Sequence, residues 1–288
     1  MMILINGIEN TCIDVRDRGF QYGDGLFETI AYKNNKLQLW DEHMQRLRDG
    51  CERLSLSFVD EARWLEDIGK MQLQGDAIIK LSISRGVSAR GYVYNEADNQ
   101  VDNVTRVTAA YAWPNYTGNH TGDHVGNHIG EHTAEDRRQG ITAIFCKTPI
   151  SINPLLAGIK HLNRLDNVLA RNEWHSSDIA EGFMLDNHQH VIEGTMSNVF
   201  GVRDAQLYTP LLTNCGVQGV MRQEIIVRAR AMGTVVNISE ISKQDFLQMD
   251  GIFVTNSVIG LWPVRKIIDD DVVTDFAISS LITDLQVN

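Results

Sequence analysis

One lysine stands where an apolar core would take another leucine. In NPLLAGIKHLNRLDNVLAR, residues 153–171, Lys160 separates an apolar run from a segment in which Leu162, Leu165, Val168 and Leu169 recur at helical spacing. That spacing predicts a helix starting beside Lys160 with those residues on its buried face. A lysine that is partly buried at the positive end of a helix releases its proton more readily, and the neutral amine can attack an aldehyde to form a Schiff base. Other residues offer matching chemistry. Glu193, in IEGTMSNVF, is a carboxylate at a strand end beside the turn-forming Gly194, a placement equally open to an ordinary surface glutamate. Gly219 opens a helical segment directly after LLTNCGVQ, which puts the N–H groups of Val220 and Met221 where a helix start cradles phosphate. Arg46 lies beside the apolar stripe of its own segment and supplies a fixed positive charge. An amine, a carboxylate for a ring nitrogen and an anion cradle form the set that pyridoxal 5′-phosphate requires.

The elements that must position these groups are short strands mixed with helices. MILING reads as a strand turning at Asn6-Gly7, LFETIAYKNNKLQLW as a hairpin turning at its Asn-Asn pair, and DAIIKLSISRG as a further strand. Asp41 reads as the N-cap of a helix along which Leu47, Cys51 and Leu54 recur. From GITAIFCKTPI onward the pattern is β-rich, interrupted by the helix GVMRQEIIVRARAMG between Gly219 and Gly233. This order is α+β, a mixed α/β fold without a regular βαβ series. Two domains are expected: a small N-terminal α/β domain over 1–113, and a larger β-rich domain over 139–288 that binds the cofactor. Residues 114–138 are the linker. Within it, His120, His124, His128 and His132 recur every four residues, a metal-binding spacing on a helix, but the glycine in each period costs a helix about 1 kcal/mol. The segment therefore reads as a repeat-expanded loop, and no functional metal site is expected.

Composition narrows the partners. With 288 residues, 43% apolar, the chain can bury a large core, while a formal charge of −11 disfavours nucleic acid and anionic membranes. No apolar run reaches the roughly 18 to 20 residues that span a bilayer, and MMILINGIEN lacks the basic and apolar regions of a signal peptide. Cys12, Cys51, Cys146 and Cys215 have no CxxC spacing, which argues for reduced thiols in a cytoplasmic protein rather than a zinc site or a disulfide framework.

As a set these residues resemble the fold-type IV pyridoxal-phosphate enzymes, the class IV aminotransferase family. The likeness runs through YGDGLFET, HMQRL, EGTMSNVF and LYTPLLTNCGVQGVMR, with the His-rich insert as the main departure. It implies that Lys160 is the Schiff-base lysine, that Glu193 partners the pyridine nitrogen, and that Arg46, the N–H groups of Val220 and Met221, and Ser257 hold the phosphate. AGIKHLNRL around the lysine and SRGVSARGY are most similar to the lyase branch, which acts on 4-amino-4-deoxychorismate and releases 4-aminobenzoate and pyruvate on the way to folate. Aminotransferases for D-amino or branched-chain acids are the nearest alternative. In the lyase reading Arg90 and Tyr92 grip a substrate carboxylate, although Arg90 fits equally well as a turn residue between Gly86 and Gly91. Thr29 and Asn163 orient substrate groups. The resemblance also implies a homodimer.

Overall fold

The computed structural model describes residues 2–94, 100–113 and 139–286, and among these the chain divides into two compact units. The first comprises the described residues up to Trp113 together with Ile159–Arg164, and so includes Lys160; the second comprises the described residues from 139 to 158 and from Leu165 onward. The linker expected at 114–138, with its four histidines, lies outside the described residues.

The sheet of the first unit has the order β2-β1-β6-β5-β3-β4, with every pairing antiparallel. Its strands are β1 (Met2–Ile5), β2 (Ile8–Glu9), β3 (Gly25–Lys33), β4 (Lys36–Leu37), β5 (Ala77–Ser84) and β6 (Thr105–Ala112). Both expected turns form. Asn6 and Gly7 take φ of 50° and 82°, and Asn34 and Asn35 take 51° and 59°, the left-handed pair that a two-residue hairpin needs. Alternation fixes the two faces: Leu26, Ile30, Ile79, Leu81 and Ile83 are buried on one. Phe27, Thr29, Lys80 and Ser82 occupy the other, less covered face.

The chain also forms helices α1 (Arg18–Tyr22), α2 (Trp40–Arg53) and α3 (Glu61–Lys70). Leu39, not Asp41, is the N-cap of α2; Asp41 and Glu42 fall in its first turn, where their charge complements the helix dipole. Met44, Leu47 and Cys51 are buried along it, and Gly50 lets the helix approach the sheet, since a Cβ there would sit 2.8 Å from Leu26 Cδ1.

The second unit is built on a nine-stranded mixed sheet, counted among the described residues. Its path is β12 (Val236–Ser239), β11 (Gln206–Pro210), β10 (Asn198–Arg203), β13 (Gly251–Asn256), β14 (Gly260–Asp269), β7 (Ile141–Phe145), β8 (Ile179–Leu185) and β9 (Val191–Gly194), with β15 (Val272–Asp275) also on β14. Phe183, Phe246, Val254 and Trp262 centre one apolar core. Phe200 and Phe253, stacked at 4.8 Å, pack with Ile225, Ile226 and Ala229 in another. These last three belong to the helix expected between Gly219 and Gly233. Among the described residues its helices include α4 (Leu165–Arg171), α5 (Val220–Ala231), α6 (Lys243–Leu247) and α7 (Ser280–Leu285).

One expectation fails. The helix after Lys160 is α4, which starts at Leu165, five residues beyond the lysine, so no helix dipole acts on it from an adjacent turn. Leu165, Val168 and Leu169 are 68%, 52% and 54% exposed rather than buried. The segment carrying Lys160 is extended because it adds to the edge of β3: Phe27 N–H donates to Lys160 O and Leu162 N–H to Gly25 O, both at 2.9 Å.

Candidate active site

In the first unit Lys160 is held by its backbone. The antiparallel bridge between Leu26 and His161 sets its register on β3, and its Nζ lies 4.4 Å from the centre of the Phe27 ring. Asn163, three residues on, donates from Nδ2 to Gly23 O at 3.1 Å. Gly23 is the left-handed C-cap of α1, where φ is 66° and a Cβ would run into the Asn163 amide.

Arg46 makes a two-point contact with Glu28, Nε to Oε1 at 2.8 Å and Nη2 to Oε2 at 2.5 Å, and His43 Nδ1 lies 2.5 Å from the same Oε2. All three side chains occupy the interface between α2 and the core face of β3. Burial pushes the Glu28 carboxyl up, but the charges and hydrogen bonds of Arg46 and His43 outweigh it and hold the group at about 2, against an ordinary 4.5. Burial lowers His43, against the opposing pull of Glu28. The neutral tautomer with its proton on Nδ1 satisfies Glu28 and leaves Nε2 buried without a hydrogen-bond partner. The sign of the resulting pH effect follows. Because the folded-state value is depressed, Glu28 stabilises the fold above about pH 4.5 and this contribution is lost as pH falls towards 2. Glu28→Gln is expected to flatten the acid limb of urea-unfolding stability between those values. An acid limb as steep as that of wild type would show that the carboxylate has no such part.

Asp24, in the YGDG stretch, anchors the loop that bears Arg90 and Tyr92. It accepts from Arg18 Nε at 2.8 Å and Arg85 Nε at 2.9 Å, and Arg18 passes the hold onward by donating to the carbonyl oxygens of Gly91 and Tyr92. Arg85 also binds the carbonyls of Leu54 and Ser55. Arg90 and Tyr92 themselves extend outward, Tyr92 being 85% exposed. Thr29 is half-buried on the same face of the sheet as Phe27.

In the second unit Glu193 is 4% exposed, which removes the surface-glutamate reading, and its Oε2 accepts from Val217 N–H at 2.8 Å. The turn that follows it is fixed from behind by Glu181, a fully buried carboxyl that receives hydrogen bonds from Thr195 Oγ1, Ser197 Oγ and the N–H groups of Gly182 and Thr195. Burial raises the pKa of Glu181 despite these bonds. Asn256 Nδ2 donates to Met196 O, which ties that turn to the one holding Ser257.

Val220 and Met221 are the first two residues of α5. Its N-cap, Gly219, provides no side-chain cap, and no acid lies in the first turn. Arg222 does lie there, buried. It donates to Thr209 Oγ1 and Pro210 O and forms no ion pair among the described residues; burial lowers its pKa to about 10. A cation in the first turn is opposed by the helix dipole, and an anion at the helix start offsets both that repulsion and the buried charge. The donor set of this unit thus fits a phosphate beside a buried carboxylate.

Sequence reasoning passed over Glu28, His43, Asp24, Arg85, Glu181 and Arg222. For Glu28 there was a signal: it shares the phase of Leu26 and Ile30 along β3, and a charge in the buried phase of a strand requires a partner.

Residues 25–267 match the family model for amino-transferase class IV, and the chain belongs to the class IV aminotransferase family. Within that family, aminodeoxychorismate lyase of Vibrio harveyi is 33% identical over 100% of this chain and 99% of its own. The crystal structure of 4-amino-4-deoxychorismate lyase from Pseudomonas aeruginosa matches with a TM-score of 0.85 at 36% identity, covering 99% of this chain and 97% of that one. D-alanine aminotransferase of Listeria monocytogenes is 26% identical over 93% and 88%.

Proposed function

We infer that the chain is a pyridoxal 5′-phosphate-dependent lyase converting 4-amino-4-deoxychorismate to 4-aminobenzoate and pyruvate, a step towards folate. The observation that carries this reading is the likeness over nearly the whole length to two proteins named for that activity, at 33% and 36% identity, against 26% to the D-alanine aminotransferase.

When bound, pyridoxal phosphate supplies a sink for electrons released at the substrate carbon that bears the amine. The protein supplies position and proton transfer. Lys160 anchors the cofactor through Nζ at rest. During turnover the same Nζ takes the proton from the amine-bearing carbon and returns one to the methylene of the departing enolpyruvyl group, which leaves as pyruvate when the bond from ring carbon to ether oxygen breaks. The remaining ring is aromatic, which drives the step forward. Glu193 would partner the ring nitrogen and keep it protonated, a role suited to a buried carboxylate held by Val217 N–H. The N–H groups of Val220 and Met221, with Ser257 and Arg46, take the phosphate. Thr29 and Asn163 orient the substrate, and Arg90 and Tyr92 take one of its carboxylates.

Two broader features support the reading. The apolar side chains left open on α4, with Leu155 at 80% exposure, suit burial against a second copy, and we propose a homodimer. Three of the four free cysteines are buried and none is bridged, as suits the reducing cytoplasm, and no described helix is long and apolar enough to cross a membrane. The deciding experiment incubates the purified holoenzyme with 4-amino-4-deoxychorismate and measures 4-aminobenzoate and pyruvate in equal amounts. Formation of glutamate from 2-oxoglutarate without 4-aminobenzoate would replace the lyase by an aminotransferase.

A further inference from the structure

The less covered face of the first sheet carries a cation that none of these roles uses. In the register of β3 with β5, Thr29 lies opposite Lys80 and Phe27 opposite Ser82. Directly paired residues face the same way, and so do alternate residues along a strand, which puts all four on one side. The Phe27 ring joins two amines there, with Lys160 Nζ 4.4 Å from its centre and Lys80 Nζ 5.3 Å. By the triangle through that centre the two nitrogens are separated by about 10 Å at most.

Lys80 differs from the other cations near the site. Arg46 is held by Glu28, and Arg18 and Arg85 by Asp24, whereas Lys80 forms no ion pair or hydrogen bond among the described residues. The protein around it lowers its pKa by burial, with no carboxylate to offset the effect. The Lys80 side chain is exposed on that face, so its ammonium is open to an incoming anion, and no carboxylate of the described residues competes for the charge-assisted hydrogen bond it can offer.

The lyase substrate brings two carboxylates to this place. Its ring carboxylate is para to the amine, so with bonds of about 1.4–1.5 Å the amine nitrogen and the far carboxylate oxygens are about 6–7 Å apart. A charge-assisted hydrogen bond adds about 2.8 Å. A substrate whose amine is brought to Lys160 Nζ therefore spans to a cation about 9–10 Å away, within the limit that Phe27 sets for Lys80.

We propose that Lys80 receives a carboxylate of the substrate beside Lys160 and so selects a dicarboxylate amine over simpler amino acids. The inference rests on the lyase reading, and its test separates the two. Holoenzymes of wild type, Lys80→Gln and Lys80→Arg are compared in three measurements. The first is calorimetric binding of the 4-hydroxy analogue of the substrate, which keeps both carboxylates and lacks the amine. The second is KM and kcat for 4-aminobenzoate formation, and the third is the pH titration of the visible absorbance. Lys80→Gln is expected to weaken the analogue by about 10- to 100-fold and to raise KM comparably, with kcat changed much less, and Lys80→Arg to recover most of both. Unchanged analogue binding in Lys80→Gln would overturn the proposal, as would a change confined to the absorbance titration, which would make Lys80 only an electrostatic neighbour of Lys160. If wild type forms no 4-aminobenzoate, the lyase reading fails on its own, while analogue binding still reports whether Lys80 is a carboxylate site.

Discussion

Lys160→Ala is expected to reduce 4-aminobenzoate formation by at least about 10³-fold, because in the proposed mechanism one amine both anchors the cofactor and moves the proton, and removing it takes away two steps together. The substitution is informative because the backbone itself holds this segment in place. Register on β3 is set by backbone bonds, Phe27 N–H to Lys160 O and Leu162 N–H to Gly25 O, which an alanine keeps. The ammonium resting on the Phe27 ring is worth about 0.5–1 kcal/mol at an accessible site, so the melting temperature of the apoprotein should move little without it. Borohydride reduction followed by peptide mass spectrometry should place a pyridoxyl group on Lys160 in wild type and on no residue of the variant. Full activity in Lys160→Ala, or a label on another lysine of the wild-type protein, would remove the amine from the centre of the mechanism. Unfolding of the variant would instead show that the side chain has a structural part beyond its packing on Phe27.

The local features of the fold were legible, and the partnerships across it were not. Asn6-Gly7 and Asn34-Asn35 announce their turns because left-handed backbone is acceptable to few residue types, and Gly233, at φ 79°, follows the end of α5 for the same reason. Leu165, Val168 and Leu169 were misplaced by the same kind of reasoning. Periodicity shows that a helix has an apolar face, but it does not show whether that face meets the chain's own core or a surface open to another copy. Lys160 was singled out from its neighbours in sequence, and the helix start expected beside it is absent: its backbone lies along the edge of β3 and its amine lies near the Phe27 ring. The network of Asp17 with Ser84 and Thr105, and that of Asp24 with Arg18 and Arg85, join residues up to 88 apart, and no local spacing encodes such pairs. Alternation along β3 and β5 carries more than it first yielded. The phase that buries Leu26 and Ile30 also buries Glu28, and the opposite phase places Lys80 with Phe27.

Gly219→Ala tests the anion cradle more sharply than removing any charged group, because it adds one methyl and deletes nothing. The backbone there is ordinary for any residue, φ −64° and ψ 139°, so the obstacle is space rather than conformation. A Cβ would overlap Asn198 Oδ1, and Asn198 cannot simply swing away, since it is buried and its Nδ2 donates to Val217 O at 2.8 Å. Val217 in turn supplies the N–H that holds Glu193. Displacing Asn198 thus disturbs the start of α5 and the loop behind the carboxylate at once. Overpacking of this kind costs about 1–3 kcal/mol, and a shift near 1 Å in a positioning element lowers activity by about 10²-fold. The variant apoprotein is expected to melt several degrees lower and to lose pyridoxal phosphate on gel filtration under conditions in which wild type keeps it. The companion substitution Asn198→Ala removes the obstructing oxygen, and in the double variant Gly219→Ala/Asn198→Ala the two effects should be far from additive, with cofactor retention recovering above that of Gly219→Ala alone. Additive losses would mean that the cradle fails for a reason other than this contact. Undiminished cofactor affinity in Gly219→Ala would mean that the phosphate is held elsewhere.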